Sequence, residues 1–169
     1  MNVRDMLVLL EYGYWENERL LDLVEKLTPE QLHVAATLSH GTVFDLVRHM
    51  LDTEWSWRMF ASGGEGTKYL WEVEDVSDLL AIRRFWRQER GRMLAYINGL
   101  AEADLEHDVD YGTAQGGKPR LAKRWHILMH IVNHGTHHRS ELNHYLSEHG
   151  YPVEDLSLLD FVRLPIRAS

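Results

Sequence analysis

The sequence predicts an all-α domain, a four-helix bundle with long interhelical connections, on three observations. The 169 residues are one domain's worth, enough to bury a single core. Four long stretches carry apolar residues at helical spacing. No internal repeat, low-complexity tract or interdomain linker divides them, so residues 1–169 are read as one domain.

The first helix is expected from about Val3 to Lys26, on the stripe Val3, Met6/Leu7, Leu10, Tyr14, Leu20/Leu21 and Val24. Asn17 interrupts that stripe, and a structural hydrogen-bonded bridge is the default expectation for it. A short second piece starts at Thr28, with Pro29 at its first position and Gln31 closing a capping box. Ser39-His40-Gly41 is read as the break that ends it. The next long helix runs from near Thr42 to Ser62-Gly63-Gly64, through Val43, Leu46/Val47, Met50, Trp57 and Phe60. Residues 62–76 read as a glycine-bearing loop in which Trp71 could wall a pocket. The third long helix is expected to be capped by Ser77, with Asp78 in its first turn, and to reach about Leu100. Residues 104–120 carry turn signals that suit a short hairpin or an ordered loop. The fourth helix is placed from about Leu121 to His149, ended by Gly150 and Pro152. The apolar tail, DLSLLDFVRLPIR, suits docking on the body or on a second subunit.

Composition narrows the function. Eighteen Lys and Arg against 26 Asp and Glu give a net charge of -8, which argues against nucleic-acid or anionic-membrane binding. With no cysteine, a disulfide scaffold, a catalytic thiol and a Cys-ligated metal are excluded. No targeting segment or membrane span is evident, so a cytoplasmic setting is expected. There is no GxSxG, Walker A or GxGxxG motif.

The unusual count is histidine, with 11 in all, concentrated in the fourth helix. His126, His130, His134 and His138 recur every four residues, so they share a helix face at a rise of ~6 Å per step. Around the wheel, His138 falls ~40° and His134 ~80° from the apolar centre, while His126, His130, His137 and His144 lie ~120–160° away. His134 and His138 are thus the inward pair. His49 sits at the edge of the second long helix's apolar stripe, a position that lines a cleft. Each of these histidines could be a satisfied polar group. Together, as neutral imidazoles, they could hold a divalent metal with a fourth position open, the pattern of a catalytic zinc site. Nickel, iron and manganese also accept imidazole.

Arg139 and Glu54 fall on the apolar faces of their helices, and the first expectation is a structural Arg139–Glu54 ion pair. The second reading makes Arg139 an anchor for an anionic substrate group. Glu141 reads first as a solvated helix residue, and otherwise as a base or as the group that orients a ligand imidazole.

The stretch HIVNHGTHHRSEL, His130–Leu142, resembles the signature of the DinB-like (DinB/YfiT-like) family through Asn133, His134, His138 and Arg139. YGYWENERLL, Tyr12–Leu21, is similar to that family's opening helix around Trp15 and Asn17, and His49 with Glu54 resembles its second-helix motif. The resemblance implies a four-helix bundle of that type, a divalent metal held by His49, His134 and His138, and a homodimer. It also implies thiol-dependent transferase or isomerase chemistry, with bacillithiol, mycothiol or glutathione as the thiol in characterised branches. Arg139-Ser140-Glu141 departs from the family's frequent HRGQ.

The expected function is therefore a metal-dependent transferase in which zinc or nickel (iron or manganese also fit) activates a small-molecule thiol towards an electrophile. A metal-dependent hydrolase and a non-catalytic metal-binding stress or interaction protein are the alternatives. Arg139 and Glu141 are the candidate catalytic residues.

Overall fold

The computed structural model describes residues 2–64, 66, 68–113, 117–153 and 156–164. Its long helices are α1 (Val3–Val24), α3 (Val43–Ala61), α4 (Leu79–Asn98) and α5 (Arg124–Glu148). Two short helices, α2 (Pro29–His33) and α6 (Leu158–Phe161), and an antiparallel hairpin, β1 (Asp108–Thr113) with β2 (Pro119–Lys123), complete the order.

Helix starts follow their capping chemistry. Asn2 accepts from Asp5 N at 2.8 Å and Asp5 returns the bond to Asn2 N, which satisfies amides the first turn of α1 leaves open. Thr28, Pro29 and Gln31 form the expected capping box, and Thr42 caps α3. α4 differs from expectation by one residue. Asp78, not Ser77, accepts from Ala81 N at 2.7 Å, while Ser77 donates its hydroxyl back to Asp75. α2 ends at His33, ahead of the predicted break, and residues 34–42 form an ordered connection. At the far end of α5, Gly150 adopts φ +87°, the left-handed conformation that glycine enters without Cβ strain.

α5 starts three residues later than predicted, because Leu121, Ala122 and Lys123 pair with Asp110, Val109 and Asp108 in the hairpin. The hairpin expected within 104–120 is present and extends into that stretch.

One core joins the four long helices. Met6, Leu20 and Val24 of α1, Leu46 and Leu51 of α3, Ile82, Met93 and Ile97 of α4, and Leu128, Leu142 and Leu146 of α5 are almost fully enclosed. Each such side chain contributes ~1.5–3 kcal/mol relative to exposure. Trp57, Phe60 and Leu79 of the predicted stripes are only half-buried. α1 and α3 each pack mainly against α4 and α5, so these consecutive helices sit at diagonal corners of the bundle. The connections at 25–42 and 99–123 therefore cross it. The tail docks on α1, where Phe161 packs beside Tyr12 and Trp15 and Leu156 O accepts from the Tyr12 hydroxyl. Among the described residues, no helix is long and apolar enough to cross a membrane.

Candidate metal centre

Helices α3 and α5 pack against each other, and their facing surfaces bring the predicted histidines together. His134 Nε2 lies 3.2 Å from His49 Nε2 and 3.2 Å from His138 Nε2. Two nitrogens bound to one tetrahedral ion at ~2.05 Å would lie ~3.3 Å apart, so these contacts match a shared ligand set. His138 is buried, His49 and His134 are half-buried, and His126, His130, His137 and His144 are exposed, as the helical wheel predicts.

The tautomers follow from the neighbours. His138 Nδ1 is 3.1 Å from Glu141 Oε2, and a carboxylate there takes an N–H. That leaves the His138 Nε2 lone pair directed at His134. With one proton available per neutral ring, the three clustered Nε2 atoms lack the protons to satisfy one another fully, and a cation would satisfy them. Burial, reinforced by the neighbouring imidazoles, pushes the His49 pKa down to about 4 and that of His134 down to about 3. Both rings are therefore neutral at pH 7, the form that ligates metal.

A further histidine joins them. His40, from the connection between α2 and α3, stacks on His49 with ring centroids 3.6 Å apart. His40, His49 and His138 each offer a nitrogen within 4.8 Å of the others, a three-histidine group able to hold a metal ion. Sequence reasoning missed His40 as a site residue. It lies off the helices, so no periodicity marks it, and its only signal was being a histidine nine residues before His49.

Glu141 is not the solvated residue first expected. It accepts from Ser39 N and from Ser39 Oγ at 2.8 Å, besides His138. Burial pushes its carboxyl up, but these donors together outweigh burial and hold it below the usual carboxylate range. Glu141 thus orients His138 and ties down the segment that carries His40.

His134 also lines a small, partly open cleft of about 30 Å³, walled by Leu10, Gly13 and Asn17 of α1, Met50 and Glu54 of α3, and Arg139 of α5. Trp71 is not among its lining residues; it stacks on Tyr69 at 4.4 Å, under the Arg48 guanidinium. The expected Arg139–Glu54 ion pair does not form. Arg139 Nε instead sits 2.7 Å from Glu16 Oε2, both residues being buried. The wheel gave Arg139 the right face but not its partner, because Glu16 comes from α1 rather than α3.

Glu54 accepts from the Tyr14 hydroxyl and from Trp86 Nε1 at 3.0 Å. Burial pushes its carboxyl up to about 7, against the lowering effect of those two bonds. Asn17 is buried, yet its Oδ1 finds no donor among the described residues, so it is not the structural bridge expected. An unsatisfied acceptor in a cleft wall beside a guanidinium suits a polar ligand.

Known proteins share this architecture. A crystal structure of a DinB-like protein from Bacillus subtilis matches with a TM-score of 0.62 at 16% identity, over 88% of this chain and 96% of that one. Another, from Bacillus cereus, matches with a TM-score of 0.57 at 19% identity, over 87% and 94%. Protein DinB of Bacillus subtilis is 20% identical over 149 residues, 85% of each chain. The description of the DinB family fits residues 1–167, and on that match the chain belongs to the DinB family.

Proposed function

We propose that this protein is a metal-dependent transferase that activates a low-molecular-weight thiol at a site held by His49, His134 and His138. One observation carries the reading: His134 Nε2 lies 3.2 Å from both His49 Nε2 and His138 Nε2, and His134 also lines a small cleft. Zinc and nickel suit such a donor set best, and iron and manganese also fit it. A divalent ion there supplies the positive charge that lowers a thiol's pKa towards the reactive thiolate.

The chain's own residues do the rest. Glu141 keeps the His138 lone pair facing inward. Leu9, Leu10, Met50 and Ile131 give the cleft apolar walls. Asn17 Oδ1 and the Arg139 guanidinium present an acceptor and donors to the polar parts of a thiol cosubstrate. Glu54, still holding a proton at mildly acidic pH, places a neutral acid in the same cleft. In the reaction the thiol sulfur bonds to the electrophilic carbon, the leaving group departs with its electron pair, and the thiol proton passes to solvent. The same reading includes a cytoplasmic homodimer, the exposed Leu159, Val162 and Leu164 of the tail being available for a partner subunit.

The test begins with elemental mass spectrometry on untagged protein beside a His134→Ala/His138→Ala variant. Near-stoichiometric metal is expected in the first and none in the second. The loaded protein is then given an electrophilic chromogenic reporter with and without bacillithiol, mycothiol or glutathione. Metal-dependent, thiol-dependent turnover is expected. Turnover without thiol would assign metal-assisted hydrolysis instead, and bound metal with no turnover would leave a metal-binding role alone.

A further inference from the structure

The connection between α2 and α3 is built to hold an imidazole against the site. Ala36 N donates to Gly41 O at 2.7 Å, and Gly41 N donates to Leu38 O at 3.0 Å, which closes a tight turn around residues 38–41. Gly41 has φ +83°, so the turn needs glycine immediately after His40. Leu38 packs on the core from one side of the turn. On the other side Ser39 donates twice to Glu141, the carboxylate that also holds His138.

His40 follows directly on those two anchors. Its ring stacks on His49 at 3.6 Å, with the planes 19° apart, and stands edge-on to His138 at 5.3 Å. The closest ligand-capable nitrogens of His40, His49 and His138 all lie within 4.8 Å of one another. Donors of one ion lie ~3.3 Å apart at tetrahedral positions and ~4.2 Å apart at opposite ones, so this set comes into range once the His40 ring tilts out of its stack on His49. Stacking alone would need no such convergence of nitrogens.

We propose that His40 is a fourth protein donor to the metal ion, an inference that rests on the metal reading above. The ion is then held by four imidazoles, three from helices and one from a tethered turn. A thiol reaches it only by displacing His40 or by raising the coordination number to five, as zinc sites can. Of the four donors, His40 is the one whose departure leaves the helices undisturbed.

The experiment uses the full chain loaded with cobalt(II), whose visible absorption reports ligand number, and with zinc for X-ray absorption. His40→Ala is expected to weaken metal affinity about tenfold or more, to lower the zinc imidazole count by one, and to shift the cobalt bands. His40→Cys is expected to gain a sulfur-to-cobalt charge-transfer band. The chain has no other cysteine, so that band has a single source. Far-ultraviolet circular dichroism checks that both variants keep their helices. Unchanged affinity and spectrum in His40→Ala, with no charge-transfer band in His40→Cys, would overturn the proposal and leave the three-histidine reading standing. A wild-type protein that binds neither metal would overturn both.

Discussion

Glu141 receives three hydrogen bonds from two segments, Ser39 N and Oγ on one side and His138 Nδ1 on the other. Glu141→Gln keeps the shape but replaces an acceptor-only carboxylate with a group that is half donor. Metal affinity should fall about 10–100-fold by titration calorimetry while the helical content stays unchanged. Glu54 makes a prediction about pH. Its native pKa of about 7 exceeds the ordinary 4.5, so the folded chain keeps a proton that the unfolded chain has lost. Stability from this group is complete below pH 4.5 and falls as pH rises towards 7. The loss is at most about 3.5 kcal/mol, at about 1.4 kcal/mol per unit. His49 and His134 have the opposite sign. With depressed values, their contribution is present above the unfolded histidine pKa and is lost as pH falls towards 4 and 3. The wild-type curve sums these terms, so the Glu54 share is read as the difference from Glu54→Gln in urea unfolding at pH 5 and pH 8. That difference should move against the wild type at the higher pH, and an equal difference at both would remove the assignment. At this scale the sequence was informative where a helix imposes periodicity, as at His134 and His138. It was silent where a turn delivers the side chain, as at His40. It misled at Arg139, because a helical wheel gives a direction and not which neighbour lies there.

Arg139 needs space as well as a counter-charge, and two helices provide it. A Cβ on Gly135 would stand 2.5 Å from Arg139 Nη1, and one on Gly13 would stand 3.4 Å from the same atom. Both glycines lie inside helices, where alanine is favoured by ~1 kcal/mol, so here local preference yields to packing. Gly135→Ala should displace the guanidinium from Glu16 and destabilise the protein by about 2 kcal/mol or more, despite its better helix propensity. Gly13→Ala should stay within about 1 kcal/mol of wild type. Urea unfolding of the two variants side by side checks the contrast. The long helices were legible because each repeats an apolar stripe, and α3 and α4 also open on recognisable caps. The errors fell at their ends. Leu121–Lys123 continue an apolar pattern into α5, yet their backbone groups are taken by β1, a pairing that no local window shows. At α4 two capping residues stand side by side, and Ser77 is already engaged with Asp75.

Across the whole molecule the site draws on α3, α5 and the crossing connection before α3, while α1 supplies the opposite cleft wall. The diagonal placement of α1 and α3 makes this possible, since α5 touches both. Hydrophobic patterning predicted four helices but not which corners they occupy, because every amphipathic stripe points at the same core. Metal binding should therefore stabilise the fold as a unit. At zinc or nickel concentrations 100 times the Kd, linkage adds about 2.7 kcal/mol. The melting temperature should rise with metal for wild type and stay flat for His134→Ala, as scanning calorimetry would read. The shared carboxylate at Glu141 has a consequence of its own. The Ser39 amide is fastened by the same group that sets the proton on His138, so its hydrogen-exchange rate becomes an outside gauge of order at the histidines. A single surface amide, followed in heavy water, would then report when a ligand loosens or tightens the centre, with no need for a coloured metal or a turnover assay.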